Sequence, residues 1–404
     1  MKLKKFILVI MVISFLPFTN KISLANNNFI DNNVIEKLRS NNPNANITIS
    51  ELNTGKIISK NKENEVVSYD TLINKLLVFT ISEQLKEKKI TLDTKINLAG
   101  TDDILQKYDI SQEITVKDAI FLLEQDKSNI LVQSTIQFFN YTISDFQHII
   151  DKLTLQNSEL VSLEISSENK STAKNISYLV SETILNFQEI TDITKNPTYE
   201  FSNGNTADNN IKFIQSDTIR VLGTNYDGNK TTLIAYSGNT KILVTVLNIS
   251  EDKDSFFDTV QEMYDNIFKN YIYKLALKAD TYNINNENIS ISNDIYDLFY
   301  KDHSDKNIKY FLMNNKILLF QNYDYLSANY ATVFSTYTSN TDTSNYTKIK
   351  NTFIQDNEFS TRSNKEKLDI ILDRTQYFAM FVLLIYSAIF IILYILKKPF
   401  SKGE

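Results

Sequence analysis

Residues 46–60 read NITISELNTGKIISK. Over 46–52 apolar and polar side chains alternate, the period of a strand whose successive residues face opposite sides. Asn53-Thr54-Gly55 supplies turn residues and KIISK over 56–60 returns, so the stretch predicts a β-hairpin. A polar loop follows. Then comes a helix through Leu72, Leu76 and Phe79, apolar on more than one face, which is the composition of a helix buried at the centre of a domain. Helical patterns continue over 116–123, 129–139, 144–153 and 173–187. Far downstream, 231–237 and 241–248 are β-rich runs separated by Gly238-Asn239-Thr240, a second hairpin signal. Strands at both ends with helices between them predict an α+β domain whose terminal segments share one sheet.

An amphipathic helix over 255–270 closes this domain. The pattern then changes to short strands, notably 309–313 and 316–321, and predicts a small β-rich domain over 271–338. Residues 339–376 are rich in Asn, Thr, Ser and charge, as a polar stalk would be.

The two ends give a topology. Lys2, Lys4 and Lys5 precede an apolar run over 6–18, and Ser23-Leu24-Ala25 offers small residues for cleavage, so 1–25 reads as a secretory signal peptide. Residues 377–396 are twenty without a charge. At ~1.5 Å rise per residue they span roughly 30 Å, a bilayer core. Lys397, Lys398 and Lys402 follow, as positive flanks do on the cytoplasmic side, making 397–404 a cytoplasmic tail. The expectation is a single-pass cell-membrane protein with residues 26–376 outside.

Composition excludes several chemistries. The chain has no cysteine, hence no disulfide, thiol catalysis or thiolate metal site. Its two histidines, His148 and His303, are too few for an ordinary zinc site. No cofactor is implied, since 7 glycines and no G-x-x-x-x-G-K-[ST] leave little for phosphate loops. A net charge of −6 without a basic stripe argues against nucleic acid as a partner.

The order of features resembles the low-molecular-weight penicillin-binding proteins, the serine-type D-Ala-D-Ala carboxypeptidases. Asn53-Thr54-Gly55-Lys56 is similar to the family's turn between its first two strands, and residues 89–96 (KITLDTKI) to the segment after its nucleophile helix. Thr115-Val116 opens a helix like the one leading to S-x-N, and Ser171-Thr172-Ala173 resembles a short motif before a long helix. The resemblance covers about 46–268. It implies a β-lactamase/transpeptidase-like domain over 26–270, an antiparallel sheet with a helical cluster, whose sites use S-x-x-K, S-x-N and K-T-G.

None of these motifs is intact where the resemblance places it. Counting from Gly55 and from Lys89 puts S-x-x-K on Thr71-Leu72-Ile73-Asn74. Thr71 keeps a hydroxyl, but the neutral amide of Asn74 cannot serve as the base. Lys75 comes one residue late, ~100° around the helix. The S-x-N position falls on Lys127-Ser128-Asn129, where Asn129 keeps an amide and Lys127 stands for the serine. From there Lys127 could replace the lost base, which requires its Nζ within reach of Thr71 Oγ1, directly or through one water. The resemblance puts the K-T-G position near residues 219–223, with Arg220 as the cation for a substrate carboxylate. Literal matches at Ser59-x-x-Lys62, Ser167-x-x-Lys170, Ser171-x-x-Lys174, Ser250-x-x-Lys253 and Ser327-Ala328-Asn329 are expected by chance in a chain this rich in Ser and Lys. Lys230-Thr231-Thr232 begins a strand, lacks the glycine and falls one strand late.

Three functions fit this reading. The first is a degenerate carboxypeptidase that binds peptidoglycan stem peptides or a cell-wall protein without turnover. The second is an active enzyme using Thr71 in a rearranged site. The third is a membrane-tethered scaffold.

Overall fold

The computed structural model describes residues 35–110, 112–209, 220–226, 228–284, 287–291 and 293–301, and short stretches at 309–313, 316–320, 324–326, 335–338 and 347–348. The segments expected as signal peptide, membrane helix and cytoplasmic tail, and nearly all of the expected stalk, lie outside the described residues. Among the described residues no helix is long and apolar enough to cross a membrane.

The hairpin forms as β1 (Asn46–Glu51) and β2 (Lys56–Asn61). Gly55 takes φ 62°, the left-handed region a glycine enters without a Cβ clash. The buried Glu51 carboxylate ties the turn, accepting from the Thr54 N–H and hydroxyl at 2.7 Å each. A short helix, α1 (Glu36–Asn41), precedes the hairpin. After it come β3 (Val67–Ser68) and the central helix α2 (Leu72–Lys86), buried at nearly every position through Ser82.

The helical cluster continues through β4 (Lys95–Asn97), α3 (Asp103–Lys107), β5 (Glu113–Thr115), α4 (Val116–Gln125), α5 (Asn129–Phe139) and α6 (Ile143–Lys152). Then follow β6 (Lys170–Ser171), α7 (Ala173–Asn186), α8 (Ile190–Thr194), β7 (Thr198–Glu200) and β8 (Thr206–Asp208). Side-chain caps fix several starts. Thr115, Ser128 and Thr172 each accept from the N–H three residues on, at 3.1 Å.

The chain returns to the sheet as β9 (Arg220–Tyr226), β10 (Lys230–Ser237) and β11 (Thr240–Leu247), then runs out along α9 (Lys253–Asn270). With β18 (Asp324–Tyr325) at one edge, the sheet order is β18-β2-β1-β11-β10-β9, all antiparallel; the terminal segments share one sheet, as the sequence predicts, and within it the first and last strands of the domain lie side by side. The alternation in β1 does not mark a solvated face, because both faces are buried. Ile47 and Ile49 join a core with Val244, Phe256, Phe257 and Tyr264. The opposite face carries small hydroxyl residues, and there the Ser177 hydroxyl of α7 meets that of Thr245 at 2.8 Å. Small side chains let α7 seat directly on the sheet, with α2 and α4 packed in the larger core beyond it.

Beyond α9, β12 (Tyr271–Leu277) pairs with β15 (Ile295–Tyr300). A second six-stranded sheet has the order β13-β14-β19-β17-β16-β20, from Thr281–Ile284, Glu287–Ile291, Ser335–Thr338, Lys316–Phe320, Lys309–Met313 and Thr347–Lys348. Its last strand falls inside the segment expected to be stalk. Two features join the parts. Strand β18 (Asp324–Tyr325) extends the first sheet along β2, and Lys56 of β2 forms an ion pair with Asp297 of β15, both side chains fully buried.

Candidate functional site

The start of α2 is built from Tyr69, Asp70 and Thr71. The Tyr69 N–H donates to Asn169 O at 2.8 Å, and Asp70 O accepts from the Ser166 N–H at 3.2 Å, so the loop over 159–169 braces this corner. Asn169, fully buried, shapes that loop. Its Oδ1 accepts from the N–H groups of Val161 and Ser162, and its Nδ2 donates to Ser162 O and Glu164 O.

Thr71 is the residue before the first helical turn, with φ −91° and ψ 21° and no side-chain cap bond. It is 5 % exposed and its hydroxyl has no hydrogen-bond partner. Asn74, one turn on, is buried and donates from Nδ2 to Leu123 O at 3.0 Å and Asp126 O at 3.4 Å, at the C-terminal end of α4. Those two carbonyls set the amide orientation, since only the NH₂ end can donate. Lys75 turns to Glu124 at 2.5 Å, with 2 % and 7 % of the two side chains exposed. The lysine that comes one residue late is thus bound to α4.

Asp70 collects the cations. Its Oδ2 accepts from Lys127 Nζ at 2.8 Å and its Oδ1 from Lys230 Nζ at 2.5 Å and from the Thr71 N–H at 3.1 Å. Lys230 also lies 5.3 Å from the centre of the Tyr69 ring. Burial pushes the Asp70 carboxyl up. The hydrogen bonds and charges of Lys127 and Lys230 outweigh it and hold the group below the ordinary carboxylate range.

The other positions read from the sequence divide. No hydrogen bond joins Lys127 to Thr71, whose hydroxyl is without a partner. Asn129 is exposed, and its Oδ1 accepts from the Ile165 N–H at 2.9 Å. Ser128 caps α5 and donates to Asp102 at 2.6 Å. Arg220 stands opposite Tyr236 at the start of β9, whereas Thr231, next to Lys230, stands opposite Tyr226 at its end. Six steps at ~3.3 Å put Arg220 about 20 Å along the strand from the end nearest Lys230. The sheet cation beside Asp70 is therefore Lys230, not Arg220. A separate cavity includes Leu52, Glu189, Asp192 and Lys241 in its lining, and none of the residues around Asp70 belongs to it.

Sequence reasoning missed Asp70, Glu124 and Asn169. Lys230 was visible as the first residue of a strand, but strand order alone placed it too far along.

The arrangement offers a buried hydroxyl, three ion-paired lysines and an amide already committed to backbone carbonyls. No family model matches the chain, and no curated protein sequence does. Solved structures do. The chain is similar to PBP3 from Streptococcus pneumoniae, described as a peptidoglycan synthesis regulatory factor, with TM-score 0.55 and 14 % identity over 72 % of this chain and 97 % of that one. It is similar to penicillin binding protein 6B from Escherichia coli, with TM-score 0.55 and 13 % identity over 70 % and 92 %. It is also similar to the D-alanyl-D-alanine carboxypeptidase DacD from Francisella tularensis, with TM-score 0.51 and 11 % identity over 75 % and 93 %. At these identities the likeness establishes the fold. The resemblance read from the sequence holds at that level.

Proposed function

We propose that this chain is a non-catalytic, membrane-anchored relative of the D-Ala-D-Ala carboxypeptidases that binds peptidoglycan stem peptides, or a protein of the wall, outside the cell. The observation that carries the reading is Asn74. The resemblance counts it into the position from which a base would serve Thr71, a neutral amide does not titrate usefully, and its NH₂ is spent on Leu123 O and Asp126 O. Hydroxyl attack on a carbonyl needs a partner to take the proton, and positioned proton transfer contributes ~10²–10⁴ in rate. Lys75 is committed to Glu124, and Lys127 and Lys230 to Asp70. The similar structures carry names drawn from carboxypeptidase activity and from regulation of peptidoglycan synthesis, which supports a ligand of that class. Export by residues 1–25 and anchoring by residues 377–396 belong to the same reading.

Thr71 is the observation favouring turnover, because its buried hydroxyl is unengaged. Labelled penicillin applied to wild type and to Thr71→Ala separates the readings. Stem-peptide binding without labelling supports the proposal, and labelling that Thr71→Ala abolishes supports an enzyme. Neither binding nor labelling leaves the scaffold.

A further inference from the structure

Two lysines from different elements reach the two oxygens of one carboxylate. Lys127 comes from the turn between α4 and α5, and Lys230 from the first position of β10. Ammonium groups held that close repel one another, and Lys230, with 8 % of its side chain exposed, has little water to screen it. The geometry therefore requires an anion between them. Among the described residues these three charges sum to +1, and they sit at the N-terminus of the 15-residue helix α2, where aligned peptide dipoles add positive potential. Beside them the Thr71 hydroxyl is buried and without a partner. The cluster also opens outward. Lys127 and Asp70 keep 43 % and 23 % of their side chains exposed, unlike the sealed Lys56–Asp297 pair.

We infer that Asp70 is an internal plug, its carboxylate filling a two-lysine cradle that accepts a ligand carboxylate only when Asp70 is displaced. The contact is autoinhibitory. A ligand must offer the lysines an anion at least as well placed as the one the chain already supplies, which costs affinity in proportion to how rarely Asp70 is out of the cradle. The inference rests on the binding reading above only in making a peptide carboxylate the displacing group. The cradle itself is defined by the three side chains.

Chemical rescue tests it. Thermal unfolding of the full chain in detergent is followed in sodium acetate or formate against sodium chloride at equal ionic strength. The proteins are wild type, Asp70→Ala, Asp70→Asn and Asp70→Ala/Lys230→Met. Asp70→Ala should lose stability in chloride and regain a saturable acetate-specific rise in Tm of about 5 °C. Wild type should show no such rise, because Asp70 fills the cradle, and Asp70→Asn should show less than Asp70→Ala, because its amide fills the same volume. The added Lys230→Met should remove the response. If Asp70→Ala does not fold in chloride, its refolding yield in acetate against chloride gives the same readout. No acetate-specific response in Asp70→Ala, or an equal one in wild type, overturns the plug. A stem peptide with a free C-terminal carboxylate and its C-terminal amide are titrated in parallel. Acetate rescue with neither peptide bound leaves the plug standing and removes the stem-peptide reading, and peptide binding with no acetate rescue does the reverse.

Discussion

Removing Asp297 should unlock the contact that joins the first sheet to the strands beyond α9. Lys56 and Asp297 are both fully buried, and the Asp297 carboxylate also accepts from the Leu298 N–H at 2.7 Å. Burial dominates both groups, pushing Asp297 up and Lys56 down, against their mutual attraction. The signs follow from linkage. A carboxyl with a raised folded pKa contributes stability below its unfolded value and loses it as pH rises through the folded one. An amine with a lowered folded pKa contributes above its unfolded value and loses it as pH falls through the folded one. Near neutrality, therefore, each ionised group opposes folding by itself, and the pair survives because each cancels the other.

Asp297→Ala removes the carboxylate paired with the buried Lys56 cation, and Glu51, a second carboxylate near it among the described residues, is already engaged by its own turn. Breaking a buried pair from one side costs about 3–5 kcal/mol. At about 2–4 °C per kcal/mol for a domain of this class, Tm should fall by about 6–20 °C. Replacing both, as Lys56→Met with Asp297→Leu, should restore most of that loss, since an apolar pair of similar volume avoids desolvation. Calorimetry on wild type, Asp297→Ala, Lys56→Met, Asp297→Leu and the double variant reads this directly. A loss of less than about 1 kcal/mol for Asp297→Ala, or a double variant less stable than either single one, would refute the reasoning.

Three further outcomes follow from the site and the ends. Asp70 has a lowered folded pKa, so its contribution is present above the unfolded value near 3.8 and lost as pH falls through the folded one; the stability gap between wild type and Asp70→Asn, measured by denaturant titration, should be open at pH 7 and close in that acid window. Ser128→Ala removes the cap of α5 and the bond to Asp102, and should cost about 1–2 kcal/mol by the same titration. Protease added to wall-stripped cells should release a soluble fragment by cutting between residues 339 and 374, and full protection would reverse the topology or fold the stalk.

Much of the fold was legible because it is written in local periodicity. The hairpin at 46–60 has the expected turn, and the helix read over 129–139 runs from Asn129 to Phe139. That β1 and β11 share one sheet followed from reading strands at both ends of one domain; their direct pairing did not. Short elements were not legible. Residues 36–41 fold into a helix, with Leu38 buried in the same core as Ile35, and six residues are too few to show a helical period in the sequence. Strand β18 is two residues long and is defined only by its partner β2. At the site, counting placed Thr71 and Asn74 at the head of a buried helix, because that helix and its flanks have local signatures. Asp70 with Lys230 and Lys75 with Glu124 join residues 160 and 49 apart, and nothing periodic announces an ion pair at such separations. Arg220 was chosen from strand order, which does not say which end of a strand faces the helix.

Mass spectrometry of the intact protein after exposure to a labelled penicillin tests the central claim most directly. If Asn74 stands at the base position, as proposed, no adduct should form on Thr71 on the timescale that labels an intact serine carboxypeptidase, a loss of ~10²–10⁴ or more in rate. Rapid, stoichiometric acylation that maps to Thr71 and disappears in Thr71→Ala would contradict it.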